Sequence, residues 1–214
     1  VWQFVTDRWL DIAYRSYQHV SLVVQSVALA TVIAIAIALL VTSYRRLEPV
    51  ANFVSSVGLT IPSLALLGIM LPIVGIGTIP AVVVVTFYAS LPILRNAVVG
   101  LKGVDRNLVE SARGMGMSPW TTFRRVRLPL AWPVILAGLR VSTQMSMGVA
   151  AIAAYALGPG LGSYIFTGLT QIGGVNAVNY ALVATIAIIV LALLLDALLL
   201  ALGWVTTSKG IRVS

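Results

Sequence analysis

Catalysis needs ionisable side chains that meet, and this sequence offers few of them. Among 214 residues there are 6 Asp and Glu, 1 His and no Cys. A nucleophile requires a neighbouring base, and the base a third group to orient it. So few acids, bases and nucleophiles leave no such cluster to draw on. His19 has no second His and no Cys with which to hold a metal ion. A Gly-x-x-x-x-Gly-Lys-Ser/Thr phosphate loop is absent as well, so any ATP hydrolysis must be supplied by another chain. Two sets of ionisable residues remain. One is a basic, polar stretch over residues 100–129; the other is Arg140 and Asp196, isolated within apolar runs.

In the stretch 100–129, Leu101, Val104, Leu108, Ala112 and Met115 recur every three or four residues. That interval puts them on one face of a helix. Lys102, Arg106, Glu110 and Arg113 fall largely on the other face. Asp105 is placed to cap the helix start. Glu110 follows Arg106 by four residues and precedes Arg113 by three, where opposite charges meet. Gly114 and Gly116 are positioned to end or bend the helix. The spacing predicts an amphipathic helix over 105–115. Such a helix either lies on a lipid surface or fills a groove in a partner, and periodicity alone does not choose.

Arg140 and Asp196 pose a different problem. At 1.5 Å per residue they lie about 16 Å and about 12 Å along their helices from the cytoplasmic ends expected below. An unpaired charge in mid-bilayer costs about 2.5 to 3.5 kcal/mol or more. Pairing Arg140 with Asp196 would reduce that cost; snorkelling of Arg140 to the interface is the alternative. Gln25, Ser142, Thr143, Gln144 and Ser146 add polarity to the same apolar runs, where such groups either join helices or line a path.

The elements that must position these residues are membrane spans. The chain is 59% hydrophobic and 9% charged, with a mean hydropathy of +1.01, against about 25% charged in soluble domains. A span needs about 20 mostly apolar residues, and 20–41, 50–71, 78–99, 130–157 and 180–203 qualify. Pro62 and Pro92 fall inside spans, where kinks or breaks are expected. The uncharged 158–179 stretch, with Gly158, Pro159, Gly160 and Gly162, is either a loop outside or a re-entrant segment. The runs are too long for barrel strands of about 10 residues. The fold class expected is all-α and polytopic, with about five transmembrane helices.

Charge gives the sidedness. Arg45 and Arg46 follow the first span, six Lys and Arg lie in 100–129, and Lys209 and Arg212 follow the fifth. Placing all three clusters in the cytoplasm satisfies the positive-inside rule. The amino end is then outside. Residues 1–19 are an extracytoplasmic segment, 20–204 the transmembrane domain with 100–129 as a cytoplasmic loop, and 205–214 a cytoplasmic tail. The net charge of +8 sits beside apolar runs, not on a soluble basic face, so no nucleic-acid partner is expected. The opening residues lack a signal peptide's basic start, short apolar run and cleavage site. Without an initiator Met, the sequence is expected to begin inside a longer product.

Glu110-Ser111-Ala112, then Gly116, then Val126, Leu128 and Pro129 resembles the cytoplasmic signature of bacterial binding-protein-dependent ABC transporter permeases. Ser111 and Val126 replace the more usual Ala and Ile. Ile61-Pro62-Ser63-Leu64-Ala65, Pro92-Ile93-Leu94-Arg95-Asn96, Gly114-Met115-Gly116-Met117, 133–138 and the glycine-rich 158–162 resemble the osmoprotectant branch of that family. The resemblance covers about 20–203. It implies the MetI-like type I importer architecture and residence in a bacterial inner membrane. It implies import of glycine betaine, choline, carnitine or related quaternary amines, with no enzymatic activity in this chain. Partners implied are a cytoplasmic ABC ATPase that uses ATP and Mg, a second permease subunit, an extracytoplasmic substrate-binding protein and membrane lipid; this chain holds no cofactor. It places Asp105, Leu108, Glu110, Ala112, Gly116, Leu128 and Pro129 in the ATPase coupling, with small Ala112 and Gly116 allowing close approach. The alternatives are an importer of another small solute, such as an amino acid or sulfonate, and an ion-gradient carrier. A gradient carrier would more often show an acidic relay or inverted repeats, for which Asp196 alone is thin support.

Overall fold

The computed structural model describes residues 1–207; the Lys209 and Arg212 cluster and most of the expected tail lie outside the described residues. The order is α1 (Trp2–Ser43), α2 (Glu48–Thr60), α3 (Ser63–Val74), α4 (Thr78–Lys102), α5 (Arg106–Gly114), α6 (Pro119–Thr122), α7 (Leu128–Ala153), α8 (Gly162–Thr170) and α9 (Ala177–Thr206), with no strand among the described residues. A π-helical turn, Phe123–Arg127, joins α6 to α7 without a break.

Small side chains build the core. Ala30, Ala34 and Ala38 of α1, Ala81, Val85 and Ala89 of α4, and Ala131, Ile135 and Ala150 of α7 are buried without residual exposure. In lipid, where neighbouring tails are as apolar as leucine, helices associate by close packing of small residues. Two glycines show how close. A Cβ on Gly138 would stand 2.6 Å from the Asn96 Cβ, and one on Gly100 would stand 3.0 Å from the Ala131 carbonyl oxygen. Helices α1, α4 and α7 therefore form a tight trio. Helix α9 lies beside it and buries only Ala177, Val183, Ala184 and Ile188.

The first helix is longer than the span read in the sequence, and the break expected at a proline occurs at Pro62 and not at Pro92. Helix α1 begins at Trp2 and runs 42 residues without interruption, about 63 Å at the standard rise. The expected separate segment 1–19 is thus the first half of the same helix. Hydropathy registers only the part that lipid can cover, whereas burial within the bundle, at Phe4 and again from His19 onward, also holds residues of the first half.

The expected second span, 50–71, is broken. Helices α2 and α3 meet at an angle of 95°. Pro62 offers no N–H and forces Ile61 out of the helical region, to φ −67° and ψ 126°. The Ile61 carbonyl is taken instead by the Tyr88 hydroxyl of α4. Among the described residues four helices are long and apolar enough to cross a membrane, and five if the bent pair is counted as one span.

Pro92, by contrast, leaves α4 unbroken from Thr78 to Lys102. Its ring removes the bond to the Tyr88 carbonyl, and at the next carbonyl along Ser142 of α7 adds a hydrogen bond from a neighbouring helix, donating to Ala89. Support of this kind from adjacent helices is how membrane helices tolerate proline.

Candidate functional site: the 100–129 loop and the polar contacts of the bundle

Helix α5 has the limits that the spacing suggested, give or take one residue. The Asp105 carboxylate accepts from the Asn107 backbone N–H at 2.8 Å, capping the start. Arg106 donates to Glu110 at 2.6 Å one turn later. Both side chains of that pair face water, 89% and 57% exposed, so it steadies the helix by only a few tenths of a kcal/mol.

The helix ends in a Schellman motif. The Gly116 N–H reaches the Arg113 carbonyl at 2.9 Å and the Met117 N–H reaches the Ala112 carbonyl at 3.2 Å. Gly116 takes φ +83°, a region glycine enters without penalty. Around it a Cβ would meet nothing within 4 Å, so within this chain glycine is needed for backbone shape and not for clearance.

The apolar residues of α5 do not share one destination. Ala112 is 2% exposed and turned into the chain's own body, with half-buried Val109 beside it. Leu108 and Met115 are 49% and 72% exposed. Arg106, Glu110 and Arg113 also face outward. The outward surface of α5 is therefore mixed, with two large apolar side chains among charges.

Leu128 and Pro129 open α7. Proline in a first turn normally forfeits nothing, but here helix runs in from α6, and the backbone widens where it would clash: the Leu128 N–H reaches back to the Phe123 carbonyl, a π-type bond. Leu128 is half-buried and Pro129 is exposed. Arg127 donates to the Leu101 carbonyl at 3.1 Å, tying the end of the loop to its beginning, and Lys102 pairs with Glu48 at the start of α2. The loop is thus fixed at its base and presents α5 at its tip.

Within the bundle, Arg140 of α7 donates through Nε and Nη2 to the two carboxylate oxygens of Asp196 on α9, both at 2.8 Å. This two-point fork is the strongest form of guanidinium–carboxylate contact. Gln144, one turn along α7, adds a side-chain hydrogen bond to Asp196. In the sequence Gln144 is one of several polar residues that either join helices or line a path.

A second polar cluster went unread in the sequence. It lies at the end of the bundle opposite the loop, where the first half of α1 meets α8. Asp11 and Arg15 pair on α1 at 3.0 Å. Arg15 donates to Ser163 and Tyr164 donates to Asp11. Burial first, and then the Asp11 carboxylate, push the Tyr164 hydroxyl up to about 12, so the phenol stays a donor at neutral pH. The Tyr164 ring belongs to a triad with Phe4 and Tyr180, with centroids 4.8 to 6.3 Å apart, and the Arg8 guanidinium lies 5.2 Å from both the Phe4 and Tyr180 rings. His19 is wholly buried; its Nε2 lies 3.1 Å from the Met147 carbonyl oxygen. The Asp11–Arg15 spacing was visible in the sequence, but the partners lie about 150 positions away and no local pattern announces them. Among the described residues no group of His, Cys, Asp or Glu is placed to hold a metal ion.

The chain is thus a polytopic helical bundle that projects a short, charged helix on a loop tied at its base. The family model for the binding-protein-dependent transport system inner membrane component matches residues 30–203. The chain is 36% identical to the choline transport system permease protein of Bacillus subtilis, over 91% of this chain and 88% of that one. It is 37% identical to the carnitine transport permease protein of Listeria monocytogenes, over 98% and 94%. With the osmoprotectant import permease protein of Salmonella typhimurium it shares 37% identity over 98% of each chain. Among solved structures, an inward-facing MetNI methionine ABC transporter chain superposes with a TM-score of 0.78 at 25% identity, over 95% of this chain and 99% of that one. The chain belongs to the family of binding-protein-dependent transport system inner membrane components: it is a multi-pass membrane permease subunit with the MetI-like importer fold.

Proposed function

We propose that this chain is the translocation subunit of an ATP-driven importer of osmoprotectants, the quaternary amines glycine betaine, choline and carnitine. One observation carries the substrate class: relatives matched over most of their length bear the names choline, carnitine and osmoprotectant permease. The inventory of the chain is compatible with it. A quaternary ammonium group has no N–H to donate and is held by aromatic faces and weak polar contacts, not by an ion pair or a metal.

In this reading the 100–129 loop is cytoplasmic and α5 docks into a cleft of a separate ABC ATPase, which binds ATP and Mg. Leu108 and Met115 enter the cleft; Asp105, Glu110 and Gly116 hold the shape of α5; Ala112 seats the helix on the permease; Leu128 and Pro129 set the angle at which the loop returns to α7. A second permease subunit completes the path, and an extracytoplasmic binding protein delivers solute. Arg140 and Asp196 staple α7 to α9 so that force on the loop reaches both helices. Support for the coupling role comes from the outward Leu108 and Met115 on a loop whose base is tied by Arg127 and Lys102.

The test is ATP-dependent uptake of labelled glycine betaine and choline into vesicles containing this chain, its ATPase and its binding protein. Uptake is expected, and unlabelled carnitine should compete whereas methionine should not. Uptake of methionine alone, or none from a demonstrably assembled complex, would overturn the substrate class.

A further inference from the structure

Helix α1 has two long faces. One, with Leu22, Val23, Ser26, Ala30 and Ala34, is buried in the bundle. The other carries Tyr14, Gln18, Ser21 and Gln25 at intervals of three or four residues, and then, on the same stripe, Ala28, Val32 and Ala36. The stripe thus changes from polar to apolar after Gln25. Lipid suits the second part and not the first.

Gln25 lies well inside the span. His19, on the same helix, meets the carbonyl of Met147, which is six residues before the end of α7 at Ala153. Gln25 stands six residues beyond His19, about 9 Å further in. Its Nε2 donates to Ser21 at 2.7 Å, yet its side chain is exposed on this chain. Its Oε1, its second N–H and the Ser21 hydroxyl proton have no partner among the described residues. Hydrocarbon would satisfy none of them, so this part of the stripe faces water, solute or protein.

A hollow lies against it. Tyr17, Gln18, Ser21 and Gln25, with Thr78 at the start of α4 and Pro159, line a cavity of about 140 Å³. Close packing on both sides of Pro159 fixes its shape. A Cβ on Gly158 would stand 2.7 Å from the Ala153 carbonyl oxygen and 3.0 Å from the Ala81 Cβ of α4, and one on Gly160 would stand 2.7 Å from Nδ1 of His19 on α1. The two glycines seat the proline between α1 and α4, so the hollow is formed without a ligand.

The lining selects what can enter. Among the described residues that form it there is no Lys, Arg, Asp or Glu, so a small hard ion finds no counter-charge. Carboxamide oxygens, hydroxyls and the Tyr17 ring, 70% exposed, suit a trimethylammonium group instead. Its methyl groups make no strong hydrogen bond, and its diffuse charge is met by an aromatic face and partly negative oxygens. The Gln18 amide and the Ser21 and Thr78 hydroxyls can donate to the carboxylate or hydroxyl at the other end of such a solute. A neutral lining holds its ligand weakly, and a transport path needs weak sites because the solute must leave as well as enter.

We propose that this hollow is a solute site within the permease, where the trimethylammonium head of glycine betaine, choline or carnitine rests against Tyr17 and the carboxamides of Gln18 and Gln25. The proposal rests on the importer reading and adds the place at which that solute is held.

The chain contains no Cys, so an introduced thiol reports alone. Trimethylammonioethyl methanethiosulfonate carries the proposed head group and modifies thiols. In the assembled transporter in nanodiscs it should modify Ser21→Cys, and saturating glycine betaine should slow that reaction at least fivefold. Choline and carnitine should act alike and methionine should not. Ala28→Cys, on the same stripe beyond the polar part, should show no such protection. Modification of Ser21→Cys that none of the three quaternary amines slows overturns the proposal. A Ser21→Cys that the reagent cannot reach overturns it as well, since the stripe is then covered by a second subunit or by lipid.

Gln25→Leu gives a second measurement that needs no thiol. Leucine suits lipid and helix contacts alike, so a stripe that only packs keeps its uptake. A solute site should lose betaine uptake at least fivefold with no fall in the thermal midpoint, and unchanged uptake overturns the site. Protection from labelling requires no transport, so absence of betaine uptake by the unmodified transporter refutes the substrate class while the labelling of Ser21→Cys still decides the hollow.

Discussion

Gly116 sits at φ +83° with open space around it, and that combination separates two reasons for a glycine at a docking surface. If shape is what matters, residues that tolerate the left-handed region should serve and β-branched ones should not. Gly116→Val is expected to weaken ATPase binding about 5- to 30-fold, the equivalent of about 1 to 2 kcal/mol of backbone strain. Gly116→Asn should lose much less. Titration of purified ATPase against each variant measures this; equal losses would mean that the partner needs the missing side chain itself. Arg140 and Asp196 admit a similar separation of charge from place. Both lie on spans, where surface left open by this chain faces apolar surroundings and not water, so removing one partner should cost up to about 3 to 5 kcal/mol, as in a buried pair. Arg140→Gln and Asp196→Asn should each lower the thermal midpoint in detergent. The exchanged double variant, Arg140→Asp with Asp196→Arg, should recover part of that loss. No recovery would mean that Gln144, which also reaches Asp196, fixes the orientation of the site.

In the proposed coupling role α5 is the element that transmits force, and its two sides make different demands. Leu108 faces outward and Ala112 inward. Leu108→Glu should therefore reduce ATPase affinity at least tenfold and leave the permease's own thermal midpoint within about a degree. Ala112→Leu should lower both, because the added carbons have no room beneath the helix. Binding and melting measured on the same preparations distinguish the two, and identical behaviour would place both residues on one surface. This division marks where the sequence stops being legible. Periodicity and the Asp105 and Gly116 punctuation give α5 to within a residue, since caps and 3.6-residue spacing are local. Which apolar residue meets the chain itself and which meets a partner is a tertiary fact, and Ala112 and Leu108 look alike to any periodic pattern. The same limit explains α1, whose first half is held by Phe4 and His19 against distant elements. It also covers Pro62 and Pro92, which read alike in sequence although one breaks its helix, with the Ile61 carbonyl taken by Tyr88 of α4, and the other leaves its helix continuous.

For the molecule as a whole, the distribution of charge sets how it sits in the bilayer. The 100–129 loop carries Lys102, Arg106, Arg113, Arg124, Arg125 and Arg127, while 158–179 at the other end of the bundle carries no charge. At the α8 end the charges of α1 alternate in sign, with Asp7 and Asp11 set against Arg8 and Arg15. Orientation follows the excess of Lys and Arg in short loops and ignores balanced pairs, so the loop end is expected in the cytoplasm. Because the chain contains no Cys, single thiols report sidedness without background. Gln171 follows α8 and Ser118 lies in the loop, and both are exposed. In intact cells a membrane-impermeant maleimide should label Gln171→Cys and should reach Ser118→Cys only after the membrane is opened. Without the ATPase, labelling of Ser118→Cys in opened membranes should be fast; with the ATPase bound it should slow several-fold, because Ser118 stands just beyond the end of α5. Labelling of Ser118→Cys in intact cells would invert the topology and place the docking loop on the wrong side of the membrane for any ATP-driven partner.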